Sequence, residues 1–565
     1  MEWDKRLSKK DNCTQDYNTL GEKIDSIILK WDEKKNLVKS ENNENYSPIN
    51  TGVSAIQLDK VSIYSVSSDS SKLVDEKSGF GWKGLGSRRI FYDKELDEYV
   101  YEIREPKLSN EEKELMNKLV YLFGVSADFD VFDKNIVEKS DYLESTIQSI
   151  IENNHIDLKN DSKDRIFYYI FQDFIGFGKI DILMHDRGIE DISCDGTGVP
   201  VFIFHKDLES IRTNIVFGDA DNLDNFVVKL SQICGKQISV YNPIVDGKLD
   251  DGSRLSATLA KTVTLDSNFT IRRFREEPFT PIDLISSNTL SIDMAVYFWL
   301  VIENGSNILF CGGTASGKTT ALNALALFIP FSHKIVSIED TREVNLPHEN
   351  WIAGTTRTGF SQSEESRTGK DIDMFDLTRT ALRQRPKVII VGEVRGREAY
   401  TLFQAMTTGH LSYSTVHAGD IRTLIQRLES PPINLPRSLL TALDVVVFLN
   451  SVTVEKKPVR RFTSVMEIIK LESESNRLIT FTPFSWISEV DDRFEAEEGS
   501  RIFKRIKFEC GLSDEDFQKE FENRKRVLSW MVKRNIRSYR EVSKIISKYC
   551  KNPTSVLKQI EEDGI

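Results

Sequence analysis

The sequence predicts an α/β fold in its second half, a parallel sheet flanked by helices, preceded by an α+β domain and followed by a helical end. Three observations predict it. From residue 291 onward, strand-length apolar runs alternate with helical patterns: a helix over 291–303, a strand over 307–311, a Gly-rich turn, a second helix, a strand over 334–338 and a strand over 387–391. Upstream, shorter alternating runs (PVFIFH near 200, NFTIRRF from Asn268) are separated by the Asp195-Gly196 and Asp246-Gly247 turns, the texture of an α+β domain ending near Arg275. Near the C-terminus, Ser513 and Asp516 mark a helix start, and Phe517, Phe521, Leu528 and Met531 recur at helical spacing, so the last ninety or so residues read as helical.

A chain of 565 residues is too long for one hydrophobic core, which sets an expectation of two or three domains. Residues 1–94 are rich in Ser, Asn, Asp and Lys and read as a mostly flexible extension, with some helix around Ile24 to Trp31. The N-terminal domain is placed at 95–275; Ser109 and Glu112 form a capping box that opens a helix lined by Leu115, Met116, Leu119 and Phe123. Residues 276–289, with Pro278 and Pro281, are the expected hinge, and 290–565 the C-terminal domain.

The formal net charge of −12 argues against a surface devoted to nucleic-acid phosphates. The six cysteines are widely spaced without a C-x-x-C pair, so neither a disulfide framework nor a zinc ribbon is indicated and a reducing cytoplasm is expected. The N-terminus lacks an apolar h-region, and the greasiest stretches, 295–302 and 439–449, are too short or interrupted by Asp444. Membrane contact is expected only through a partner or an amphipathic surface.

The strongest motif is Gly312-Gly313-Thr314-Ala315-Ser316-Gly317-Lys318-Thr319, followed by Thr320. It satisfies G-x-x-x-x-G-K-[ST] between an apolar strand and a helix-forming run. Glycines let successive backbone amides turn inward around a β-phosphate, Lys318 reaches β and γ oxygens, and the Thr319 hydroxyl can ligate Mg²⁺, so ATP and Mg²⁺ are the expected ligands. The apolar strand at 387–391 delivers Gly392-Glu393, where a second acidic group for the metal belongs; a glutamate reaches one methylene further than aspartate and is expected to act on Mg²⁺ through water. Another strand ends in Glu339-Asp340-Thr341-Arg342-Glu343. Three carboxylates so close cannot all be desolvated, and the residues alone do not choose among them.

His410 and His417 bracket the strand-like run LSYSTV; without Cys or acidic ligands at suitable spacing they do not read as a zinc site. His417 is the candidate γ-phosphate sensor and His410 a candidate structural histidine. Arginines cluster at Arg254, Arg272, Arg273 and Arg275 before the hinge, and at Arg379, Arg383, Arg385, Arg395 and Arg397 around the second acidic strand. An arginine supplied by another domain or chain is a common way to complete a phosphoryl-transfer site.

Taken together, these motifs resemble the type II/IV secretion ATPase family and, within it, archaeal secretion and archaellum motors. The resemblance rests on GGTASGKTT from Gly312, SIEDTREVNLPHENW from Ser337, VIIVGEVRGREAYTLFQAMTTGH from Val388 and the histidine box ending at His417, in that order, and covers roughly residues 95–565. It implies a RecA-like P-loop domain behind an N-terminal nucleotide-contacting domain, a homo-hexameric ring, and docking on a polytopic membrane platform protein at the cytoplasmic face. It also implies that the catalytic glutamate is Glu343, that the Walker B glutamate is Glu393, and that the arginines reaching the nucleotide are among Arg254, Arg272, Arg273 and Arg275. The four-cysteine insertion of many bacterial relatives is missing, which favours the archaeal or cysteine-free branches. The function expected is ATP hydrolysis turned into assembly or rotation of a surface filament, or secretion. The competing reading is a nucleic-acid-translocating ATPase of a conjugation-like system, against which the motif order and acidic charge weigh; no nucleic-acid partner is expected. A non-hydrolysing regulatory subunit is disfavoured because Lys318, Thr319, Glu343 and Glu393 are all present.

Overall fold

A computed structural model describes residues 71–126, 136–275, 277–357, 372–455 and 457–564; the helix expected around Ile24 lies outside them. The chain divides into two units at Arg273/Phe274.

In the N-terminal unit, β1 (Ser71–Phe80), β2 (Gly86–Asp93) and β3 (Glu98–Arg104) precede three helices, α1 (Asn110–Ser126), α2 (Ile136–Asn153) and α3 (Asn160–Phe174), which pack on Met116, Leu119, Ile147, Ile166 and Phe167. The capping box opening α1 is formed: Glu112 N donates to Ser109 Oγ (3.2 Å) and Ser109 N to the Glu112 carboxylate (2.8 Å). After the short α4 (Asp181–His185) come β4 (Ile189–Cys194), β5 (Pro200–His205), β6 (Glu209–Val216), α5 (Ala220–Ile233), β7 (Ile244–Lys248), β8 (Arg254–Thr258) and β9 (Asn268–Arg272). The nine strands form one sheet in the order β1-β2-β3-β6-β5-β4-β9-β8-β7. Residues 71–93, read from sequence as part of a flexible extension, supply its first two strands. β1 is an edge strand with both faces largely exposed, so it carries no alternating signal.

The C-terminal unit opens with α6 (Pro281–Ser286), inside the stretch expected to be a hinge. Thr280 and Asp283 form a capping box around Pro281, and Ile282 and Leu284 are buried in this unit's core. The prolines here start a helix. There follow α7 (Ile292–Glu303), β10 (Ile308–Gly312), α8 (Lys318–Leu325), β11 (Ile335–Glu339), β12 (Trp351–Thr355), α9 (Met374–Arg383), β13 (Val388–Val391), α10 (Glu398–Thr407), β14 (Leu411–Val416), α11 (Ile421–Glu429) and β15 (Val445–Val454). Strands β12-β11-β13-β14-β10-β15 are parallel. β16 (Lys457–Leu471), β17 (Leu478–Trp486) and β18 (Phe494–Ala496) extend the sheet antiparallel from β15.

The parallel strands are apolar along their whole length because both faces are covered. Ile308 and Phe310 of β10 and Val388 and Ile390 of β13 face one core, with α7, α8 and the C-terminal helices. Leu309, Cys311, Ile389 and Val391 face the other, with α10 and α11. Helix α7 is buried all round from Met294 to Ile302. The helical end starts at Arg501, later than its sequence suggested, because β17 and β18 occupy residues expected to be helical. It consists of α12 (Arg501–Cys510), α13 (Asp514–Lys533), α14 (Tyr539–Lys551) and α15 (Pro553–Glu562). Ser513 caps α13 by accepting from Asp516 N. Both units mix helix and strand, and the second is the α/β layered sheet with the helical end. Among the described residues, no helix is long and apolar enough to cross a membrane.

Candidate phosphate-binding site

The loop from Gly312 to Lys318 leaves the C-terminal end of a central strand and enters α8. A Cβ on Gly312 would stand 2.2 Å from the Leu449 carbonyl of β15, so glycine is required there by close approach. Ala315 (φ 58°) and Gly317 (φ 89°) take left-handed conformations that turn the chain into the helix. Gly317 stands at the N-cap and supplies no side-chain cap, so the first-turn amides face the loop as an anion site would need. Beside Gly313 there is open space. Ser316 Oγ (3.0 Å) and Lys318 Nζ (2.6 Å) both donate to the Gly313 carbonyl.

Lys318 is only 7% exposed, and its Nζ lies 3.4 Å from His417 Nδ1. His417 follows β14, and its Nε2 stands 3.3 Å from Glu393 Oε1. The neutral tautomer with its proton on Nε2 satisfies both contacts, accepting from the lysine and donating to the carboxylate. Burial, then the Lys318 charge, lowers the His417 pKa, which favours that neutral form. Glu393, just beyond β13, also meets Arg395 Nε at 3.2 Å, and Arg395 reaches Asp340 at 3.0 Å. One polar chain therefore runs Lys318, His417, Glu393, Arg395, Asp340.

The acidic run after β11 is folded by Glu339. It is 2% exposed, and its Oε1 accepts from both Glu343 N and Val344 N at 2.9 Å. Its Oε2 is buried without a hydrogen-bond partner among the described residues, and burial pushes its pKa up to about 7. The Glu343 side chain is exposed. Asn345 N donates to Asn323 Oδ1 on α8 (3.1 Å), which ties the acidic loop to the phosphate-loop helix. Thr319 and Thr320 are half-buried on the first turn of α8.

These groups suit the expected ligands. An uncapped helix start, open space at Gly313 and a buried lysine fit a nucleotide phosphate. For Mg²⁺, which is held largely by phosphate oxygens and water, the side chains that fit are the Thr319 hydroxyl on the first turn of α8 and the Glu393 carboxylate just beyond β13.

Of the remaining candidates, His410 immediately precedes β14, half-buried beside Thr408 Oγ1 (3.3 Å). Arg254, Arg272 and Arg273 belong to the N-terminal unit. Arg254 and Arg272 are exposed, whereas Arg273 donates to the backbone carbonyls of Asp186 and Ile189. Two residues that sequence reasoning did not single out stand at the site. Glu339 could be seen only as one of three neighbouring acids. Arg460 of β16, whose Nε donates to the Ala315 carbonyl (3.1 Å), had no local signal.

Residues 186–466 match the family model described as type II/IV secretion system protein. An uncharacterized protein of Methanocaldococcus jannaschii, MJ0900, is 39% identical over 70% of this chain and 71% of its own length. A second from that organism, MJ1287, is 45% identical over 43% of this chain and 88% of its own. A probable conjugal transfer protein TrbB of Sinorhizobium fredii is 31% identical over 42% and 71%. With the phosphate loop, acidic loop and His417–Glu393 pair all on one parallel sheet inside the matched region, the chain belongs to the type II/IV secretion system ATPase family.

Proposed function

We propose that this chain is a Mg²⁺-dependent ATPase that works as a homo-hexameric motor for a surface filament of the archaellum or type IV pilus kind, or for type II-like secretion. The observation that carries the reading is the contact chain from Lys318 through His417 to Glu393, which links the phosphate-loop cation to the strand-end acid. In this reading the backbone amides from Gly313 to Thr320 bind the phosphates, and Lys318 holds the β and γ oxygens. Glu343, brought back by the Glu339 clamp on its amide, orients water and takes its proton. His417 senses whether the γ-phosphate is present, since its two partners are the groups that ATP would engage. Thr319 and Glu393, the latter through water, would hold Mg²⁺, which when bound neutralises developing phosphate charge. Arg254 and Arg272 are available to complete the site of a neighbouring subunit. Arg273, engaged by its own backbone, suits a supporting role.

The motor would sit at the cytoplasmic face of the cell membrane, held there by a polytopic platform protein. The similarity to a conjugal transfer protein supports a second reading, a nucleic-acid-translocating ATPase. Phosphate release should be measured with Mg²⁺-ATP alone, with vesicles carrying a candidate platform protein, and with single- or double-stranded DNA. Stimulation by the membrane protein supports the motor; stimulation by DNA alone moves the assignment to the translocase; no Mg²⁺-ATP turnover under any condition removes both.

A further inference from the structure

The hairpin of β15 and β16 brings a cation to the outside of the phosphate loop. β15 lies parallel to β10, with Leu449 opposite Gly312, and β16 lies antiparallel to β15, with Phe462 opposite Leu449. Phe462 is buried in the core shared with α8. Two residues along, on the same face by the strand period, Arg460 emerges beyond that core. Its Nε donates to the Ala315 carbonyl at 3.1 Å across 145 residues of sequence. Its Cδ would stand 3.2 Å from a Cβ on Gly317, so its stem lies against the bare α-carbon of that glycine. Neighbouring Arg461 points elsewhere and is held by both Asp492 oxygens at 2.7 Å. Arg460 has no carboxylate partner among the described residues.

In a trans peptide, the carbonyl and the following amide point in opposite directions. Holding the Ala315 carbonyl toward Arg460 therefore turns the Ser316 amide to the other side of the loop. Ala315 is an L-residue in left-handed backbone, a conformation that carries a strain cost and needs outside support to persist. Arg460 supplies that support with a charge-assisted bond.

Given that the Gly312–Lys318 loop binds nucleotide phosphates, we propose that Arg460 is a positioning residue for nucleotide binding, fixing the Ala315–Ser316 peptide so that the Ser316 amide is aimed at the phosphates. The consequence is that affinity for ATP and ADP depends on a hairpin outside the phosphate-loop motif.

The test uses the full chain and four proteins: wild type, Arg460→Met, Arg460→Lys and Lys318→Ala. Arg460→Met keeps the stem that packs on Gly317 and removes the donors; Arg460→Lys keeps a charge and a donor. Fluorescent ADP and ATP analogues report Kd, phosphate release reports KM and kcat, and thermal melting reports folding. Arg460→Met is expected to raise Kd and KM about tenfold, with kcat changed less than about threefold and the melting temperature nearly unchanged. Arg460→Lys is expected to recover part of the affinity. Wild-type Kd in a folded Arg460→Met, with binding or turnover lost in Lys318→Ala, overturns the role of Arg460 alone. Wild-type binding and turnover in Lys318→Ala overturns the site assignment itself. If Arg460→Met melts early, Arg460→Lys decides: a folded lysine variant with unchanged Kd for both analogues supports the inference only if the methionine variant, stabilised by lower temperature, still binds weakly, and otherwise overturns it.

Discussion

Arg254 and Arg272 stand directly opposite each other as paired residues of the adjacent antiparallel strands β8 and β9. Lys248 of β7 faces Arg254 from its other side, and Asp191 of β4 faces Arg272. The alternation that buries Leu255 and Ile271 puts both guanidinium groups on the exposed face. Like charges directly opposite in a sheet are unfavourable, and these three cations, with Asp191 opposite Arg272 and Asp246 at 3.8 Å from Arg254, leave an excess of positive charge that a bound anion would relieve. Replacing either arginine with alanine is expected to stabilise the protein slightly at low salt, by about 0.2–1 kcal/mol, and to lower ATP turnover at least about tenfold. Thermal melts at two salt concentrations, set beside phosphate-release rates, check both halves; a variant that loses stability at low salt while keeping full activity contradicts the anion-site reading.

If those arginines act across subunits, inactive variants should complement one another. Lys318→Ala mixed with the Arg254→Ala/Arg272→Ala double variant is expected to regain part of the wild-type turnover, because some interfaces then pair an intact phosphate loop with intact arginines. Turnover is measured across mixing ratios with co-assembly verified, and a monomer that hydrolyses ATP at the wild-type rate ends the proposal.

Lys318→Ala is expected to lower turnover by about a hundredfold or more, since contacts made to developing charge are worth several kcal/mol. In the structure the ammonium also bridges to His417, so the same change frees Nδ1. Removing the Lys318 charge, one of the causes that lower the His417 pKa, is expected to raise it, and NMR titration of the ring would detect the move.

Glu343→Gln and Glu393→Gln should separate in kind. The first is expected to bind Mg²⁺-ATP with little loss and hydrolyse it at least about a hundredfold more slowly, because an amide cannot accept a proton from water. The second is expected to shift the Mg²⁺ dependence of binding, as the group that holds the ion's water is weakened. Binding by fluorescent nucleotide over a Mg²⁺ series, together with single-turnover rates, distinguishes them; the opposite pattern exchanges the two roles.

Glu339 gives a pH signature. Burial raises its folded-state pKa from 4.5 to about 7, so the folded chain holds that proton more tightly than the unfolded chain does. Its stabilising contribution is full below about pH 4.5 and is lost as pH rises through about 7. The span corresponds to something on the order of 3 kcal/mol. Glu339→Gln keeps an oxygen for the Glu343 and Val344 amides and removes the titration, so the variant is expected to gain stability relative to wild type between pH 5 and 8, most at about pH 8. Melting curves across that range check it, and parallel curves for the two proteins would rule it out.

How much could be read from the residues varied with local surroundings. β10 and β13 were legible because a parallel strand covered on both faces must be continuously apolar, and the phosphate loop because its glycines answer to backbone geometry. β1 was not, since an edge strand with two wet faces has no pattern to show. The prolines near 280 were ambiguous: Pro281 at the first position of a helix looks the same in sequence as a proline in a linker, and only the core partners of Ile282 and Leu284 separate the two. At the site, sequence could not choose among Glu339, Asp340 and Glu343, because which carboxyl turns inward is decided by backbone amides further along. Arg460 was invisible because its partner lies 145 residues away.

Helix α7 is apolar on every side, and part of its covering comes from α13 and α14, where Trp530, Met531 and Tyr549 share its core. Tyr549 rests against Trp299, and Arg524 is held between Glu303 and Glu520 beside both rings. Helices α12 to α15, over residues 501–562, are thus an outer wall of the C-terminal unit. Proteolytic nicking near residue 500 would leave the fragments associated, while a gene truncated there would yield a product that exposes Trp299 and Tyr297 to water and aggregates. The cover these helices give α7 is a boundary condition on the fold of the whole C-terminal unit.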